Sequence, residues 1–266
     1  MDFFDDISVA TWLIALFGAF SLGFSKTGFP GLAMVNVLIM AELFGAKASV
    51  GIIVPLLVVC DLTVYPLFRR YSSWKELMSL LPPTFAGLIA GYFLLDHIDE
   101  STARKGIGLI VLLMFALQLV RLRFSQALVR LPKSVGFRWG IGMMIGTSTI
   151  MANAAGPVFS IYALVEKMTK ETFLGLGARC FLLVNILKLP LVANLDLIDA
   201  NSLKITLFVL PGIFAGILLD EKSFRSSRKN YLNFCSMAFR SLPEYGSFFS
   251  ETHRAVQSAT LRLLLK

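Results

Sequence analysis

Residues 60–68 read CDLTVYPLF and residues 184–192 read VNILKLPLV. Each stretch sets one polar side chain, Asp61 or Asn185, five residues ahead of a proline inside an apolar run. A second pair follows in the same order: LPPTFAGLIAG at 81–91 and LPGIFAGILLD at 210–220. A third precedes them, GFSKTGFPG from Gly23 and GTSTIMANAAGP from Gly146. Shared order and nearly equal spacing argue for an internal duplication, against chance likeness between greasy helices.

The solvent around these stretches follows from composition. Of 266 residues, 56% are hydrophobic and 16% charged, against roughly 25% charged in an ordinary soluble domain; the mean hydropathy is +0.73. The apolar material falls in separate runs, Ser49 to Tyr65, Leu77 to Leu95, Ala103 to Val120, Phe173 to Val192 and Leu203 to Leu219. Each is near the ~20 residues a helix needs to cross ~30 Å of hydrocarbon. The expected fold is an all-α polytopic membrane protein of eight or nine hydrophobic segments. The acidic N-terminus MDFFDDIS lacks the basic start of a signal peptide, so the first segment is expected to stay.

Charge then sets orientation. The loops read acidic MDFFDD, basic RRYSSWK, acidic DHIDE, basic RLRFSQALVRLPK, weak EKMTKE, acidic NLDLIDAN and basic EKSFRSSRK. With basic loops cytoplasmic, the N-terminus lies outside, Ser49–Tyr65 runs inward and its counterpart Phe173–Val192 runs outward. The halves are therefore expected to be inverted-topology repeats, 1–125 and 126–219, in an inner or plasma membrane. The net charge of +8 is explained by these loops, and no nucleic-acid partner is expected. Cys60, Cys180 and Cys235 show no paired spacing, and His97 and His253 lie outside the apolar runs. No metal, cofactor or disulfide framework is expected.

Both halves break at matching places. Val9–Leu22 and Leu32–Leu43 flank SKTGFPG, and Trp139–Met151 and Ala155–Val165 flank the second break; all four segments are short for a full crossing. Pro30 has no N–H to donate, and Gly28 and Gly31 permit unusual backbone. Such a break must be buried in protein or line a wet cavity. A helix restarting beyond it presents N–H donors and partial positive charge to an anion. Ser25, Lys26 and Thr27 add donors in the first half; Ser148, Thr149 and Asn153 do so in the second.

Each of these residues also has a plainer reading. Lys26 can be a loop lysine, Asn153 a helix cap or interhelical glue, and Gly142, Gly146 and Gly156 packing positions. Asp61 and Lys188 lie within apolar runs, where an ionised side chain is a functional candidate by default. Asp61 serves proton coupling or holds Lys188 or another cation, while Lys188 binds an anion or completes a structural ion pair. Arg179 carries the same ambiguity.

With GFSKTGFPG, the RRY loop followed by SSW, LPP with FAG, MANAAGPVFSIY and VNILKLP in this order, the chain resembles the TauE/SafE sulfite exporter-like (TSUP) family of membrane transporters, from residue 8 to about 219. The resemblance implies two related halves that move sulfite, sulfoacetate or other small organosulfur anions. It implies site residues Ser25, Lys26, Gly28, Pro30 and Gly31, and in the second half Asn153, Gly156, Pro157, Asn185 and Lys188. The expected partners are a small anion and the lipid bilayer, with self-association left open. A nucleotide-driven pump is disfavoured, since no GxxxxGK[ST] loop occurs. An enzyme is not expected, because an intramembrane protease would need a placed nucleophile and base. The other reading is an integral membrane protein without transport, an assembly factor or intramembrane enzyme.

The second half lacks a counterpart to Ala103–Val120, so its last helix is expected to be missing. Residues 220–266 contain no run long enough to span. They are either an aberrant tail, from a frameshift or altered splice, or a basic cytoplasmic tail lying on anionic lipid.

Overall fold

The computed structural model describes residues 8–26 and 31–226. No strand occurs among the described residues. The chain divides into two units, 1–220 and 221–266, and the helix bundle lies in the first.

Two short helices, α1 (Val9–Ser25) and α2 (Ala33–Phe44), lie either side of the first break. Three long ones follow: α3 (Ala46–Phe68), α4 (Trp74–His97) and α5 (Glu100–Arg123). A one-turn helix, α6 (Ser125–Val129), lies in the basic stretch read from sequence as loop. Then come the short pair α7 (Val135–Ala152) and α8 (Gly156–Val165), and the long α9 (Lys170–Ala193) and α10 (Ala200–Ser226). Among the described residues, five helices are long and apolar enough to cross a membrane: α3, with the 3₁₀ turn Arg69–Tyr71 that continues it, α4, α5, α9 and α10. Their ends overshoot the apolar runs by a few residues, because polar caps lie just outside hydrocarbon. Ser73 and Glu76 form a reciprocal capping box on α4, Asp99 accepts from two backbone amides of α5, and Thr169 caps α9.

Small residues decide which helices touch. A Cβ built on Gly146 or Gly87 would fall on the carbonyl oxygen of Thr84 or Met143, so α7 and α4 are in backbone contact. Pro83 lies 2.6 Å from where a Cβ of Gly142 would stand. Helices α1 and α10 meet the same way: a Cβ on Gly23 or Gly216 would strike the carbonyl of Ile213 or Phe20. Without a hydrophobic driving force inside lipid, such close approach and interhelical hydrogen bonds hold helices together. Thr147 donates to the Gly87 carbonyl at 3.1 Å, and Thr206 donates to that of Ile52 at 3.1 Å. Helices α3 and α9 pack at the centre, whereas α5 buries only 17% of its apolar window and turns the rest outward.

The outer ends of each short pair lie together. The start of α1 meets the end of α2 through Trp12 and Phe44, with ring centroids 6.5 Å apart. Glu42, at that end, pairs with Arg104 near the start of α5. On the opposite face, Lys133 ahead of α7 pairs with Glu166 beyond α8 at 3.2 Å. Ser73, Lys75, Arg138, Glu166 and Thr169 surround a cavity of about 520 Å³ on that face.

Candidate functional site

Residues flanking the two breaks border one cavity of about 90 Å³. Its polar lining is Ser25, Lys26, Asp61, Thr149, Asn153 and Asn185, and Ala33 and Gly156 border it from the first turns of α2 and α8. Phe159, Phe173 and Phe181 form its apolar wall, with the Phe159 ring 5.4 Å and 5.2 Å from those of Phe173 and Phe181.

Helix ends set the electrostatics. Neither α2 nor α8 has a side-chain hydrogen bond at its N-cap. The Met34 and Val35 amides of α2 turn back onto the Gly31 and Leu32 carbonyls and Pro157 of α8 has no N–H, so what the two helix ends offer the space between them is chiefly the positive end of each helix dipole. The carbonyl ends of α1 and α7, which favour cations, each carry an ammonium instead. Lys26 is the C-cap residue of α1. Lys188, on α9, donates to the Thr149 carbonyl at 2.7 Å and to Asn153 Oδ1 at 2.5 Å, with Thr149 Oγ1 at 3.4 Å. Asn153 turns the chain there in a left-handed conformation, φ 50° and ψ 27°.

Asp61 stands between the halves. One of its oxygens accepts from Lys26 Nζ at 2.6 Å and the other from Asn185 Nδ2 at 2.6 Å. Asp61 is 2% exposed and Lys26 14%, so this is a buried ion pair. Lys26 also sits 5.5 Å from the Phe181 ring centroid, within cation–π range. Asn185 Oδ1 and Asn153 Nδ2 are buried with no protein partner. Both residues border the cavity, leaving one acceptor and one donor for an occupant.

The structure thus gathers Ser25, Lys26, Asp61, Asn153, Gly156 and Asn185 around one space. Thr27, Gly28 and Pro30 lie outside the described residues. A Cβ on Gly31 would meet nothing within 4 Å, and Pro157 is buried in the first turn of α8. The Ser25 and Ser148 hydroxyls, expected as donors to an anion, are spent on their own helices: Ser25 on the Leu22 carbonyl at 2.7 Å and Ser148 on that of Met144 at 2.6 Å. Asp61 pairs with Lys26, while Lys188 is fully buried and touches the cavity's lining residues without bordering it. Arg179 belongs elsewhere: it donates to the Arg69 carbonyl and lies over the Trp74 ring at 4.9 Å, tying α9 to the turn after α3. Phe159 and Phe181 carry no sequence signal, since an aromatic in an apolar run reads as packing. Thr149 is found by its place in the second break.

No curated protein and no solved structure matches the chain. A family model described as Sulfite exporter TauE/SafE matches residues 9–233, most of the chain's length. With that match, and with long apolar helices around two breaks whose flanking residues share one cavity, the chain belongs to the sulfite exporter TauE/SafE family of membrane transporters.

Proposed function

We propose that this multi-pass protein carries a small sulfur oxyanion, sulfite or an organosulfonate, across the cell membrane by alternating access, with the central cavity as its site. The observation that carries this reading is the pair of helix N-termini without side-chain caps, α2 and α8, bordering one cavity that Lys26 also borders. Two buried ammoniums, Lys26 and Lys188, stand near a single carboxylate, Asp61, so an anion would complete the charge balance. The volume of about 90 Å³ is several times the ~10–15 Å³ one water needs and suits a small anion with a few waters.

Inverted repeats, 1–125 and 126–219, are the frame for the movement. Asp61 and Asn185 are 124 residues apart, and the same spacing separates Gly51 from Gly175 and Pro66 from Pro190. Contacts follow the pairing. Gly51 abuts the backbone beyond α9 at Leu197, and Gly175 abuts the backbone beyond α3 at Tyr71 and Ser72. The Gly146–Thr84 and Gly87–Met143 approaches have counterparts in Gly23–Ile213 and Gly216–Phe20. In this frame the basic-loop face is cytoplasmic, the N-terminus is outside, and the halves rock about the α3–α9 contact. Asp61 is the coupling group: its carboxylate holds Lys26 when the cavity is empty, and the substrate anion or a proton displaces that pairing.

Uptake of labelled sulfite and organosulfonates into liposomes tests the reading. Flux by the native chain that Lys26→Ala and Asn153→Ala reduce at least tenfold is the expected result. Absence of flux for every small anion tried would return the protein to the non-transport reading.

A further inference from the structure

The environment of Lys188 is unusual for a lysine. Its ammonium, fully buried, meets three oxygens: the Thr149 carbonyl, the Thr149 hydroxyl and the Asn153 side-chain carbonyl, at 2.7, 3.4 and 2.5 Å. None is a carboxylate, and the carboxylate in the site, Asp61, is engaged by Lys26 and Asn185. Neutral oxygens at the carbonyl end of a broken helix are the donor set with which membrane transporters hold sodium. The partial negative charge of that helix end favours a cation there, and the left-handed turn at Asn153 brings its side-chain oxygen beside the Thr149 carbonyl.

We infer that the break of α7 is a monovalent-cation site occupied by the chain's own ammonium, Lys188 being a tethered substitute for a bound sodium ion. This goes beyond the transport reading. It means that the cation beside the anion cavity is tethered to the chain at this position, and that none need be recruited there from solution on each cycle. The asymmetry between the halves agrees. Val64 occupies the position in α3 that corresponds to Lys188, and the first break carries its lysine within itself, as Lys26.

Removal of the side chain leaves an oxygen cage, which sodium can enter. The test is thermal unfolding of the full-length protein in detergent, in sodium chloride against choline chloride at equal ionic strength. Native protein is expected to show no sodium-specific shift. Lys188→Ala is expected to unfold at lower temperature in choline and to recover saturably with sodium. Lys188→Ala/Asn153→Asp, which gives the vacated cage a carboxylate, should half-saturate at about tenfold less sodium. Equal melting of Lys188→Ala in both salts overturns the inference, as does a Lys188→Met variant as stable as the native chain, since the cation would then have no role. Should Lys188→Ala not fold, the double variant decides: recovery in sodium alone supports the assignment, and failure in both salts overturns it. Because the readout is stability, its failure leaves the transport reading standing, and an absence of flux leaves this one standing.

Discussion

At the residue scale, the site is a problem in pairing buried charge. The attraction between two ions in a low-dielectric interior roughly offsets their desolvation, but removing one partner leaves the other stranded at a cost of about 3–5 kcal/mol. Asp61→Ala strands Lys26 and also deprives Asn185 of its acceptor. The variant should lose stability of that order, read as a lowered melting temperature in detergent. Lys26→Ala/Asp61→Ala should recover much of it, because neither charge remains; a double variant no more stable than Asp61→Ala would show that the pair is uncoupled. Lys26→Arg separates function from topology. An arginine still satisfies a loop-charge role, but its planar fork does not reproduce the single contact of 2.6 Å to Asp61. Normal membrane insertion with flux at least tenfold reduced is the expected outcome, measured by membrane yield and liposome uptake; unchanged flux would make Lys26 a topology residue.

At the element scale, helix existence was legible in sequence because hydropathy and length act along the chain: every long run became a helix, extended by a few capping residues. Both breaks were legible too, from proline and glycine. Partner choice was not, because it depends on which way a side chain leaves a helix. Of the cations left open for Asp61, the structure pairs it with Lys26, and the Ser25 and Ser148 hydroxyls fold back on their own helices. Glycine roles likewise emerge only from contact. Gly146→Ala would place a methyl group on the Thr84 carbonyl and force α7 from α4, whereas Gly140→Ala meets nothing within 4 Å. The first should lower melting temperature and yield sharply; the second should be tolerated, with detergent-solubilised protein as the readout. The caps of α5 and α10 add a pH term. Asp99 accepts from the Thr102 hydroxyl and two amides, which holds its carboxyl below the usual range. Asp199 is lowered by its bonds from Ser202. A depressed carboxyl contributes stability that is present above its unfolded value near ~4 and lost as pH falls through the folded one. Melting temperature should therefore drop below about pH 4. Asp99→Asn/Asp199→Asn, which keeps good caps, should flatten that drop; an equally steep acid loss in the variant would assign it to other groups.

At the scale of the whole molecule, the question is whether the two short pairs enter from opposite faces and each turns back. Pairing within the structure favours it: Trp12 with Phe44 at one face and Lys133 with Glu166 at the other. A pair that turns back inside the membrane leaves its central backbone groups without water or a continuing helix, and that is tolerable only where protein or a polar cavity receives them. The shared cavity meets this need for both breaks at once, which binds topology to function: moving one pair to the other face would dismantle the site. Single cysteines in a chain with Cys235→Ser provide the measurement, since Cys60 and Cys180 are buried. Cysteines at Val9, Glu42, Asp96 and Asn201 should react with an impermeant thiol reagent from outside intact cells. Cysteines at Lys75, Lys133 and Glu171 should react only in inverted vesicles. The decisive comparison is Lys133 with Glu171, which bracket α7 and α8. If they label from opposite sides, the second pair crosses the membrane, the inverted arrangement fails, and the common cavity could not be presented alternately by rocking one half against the other.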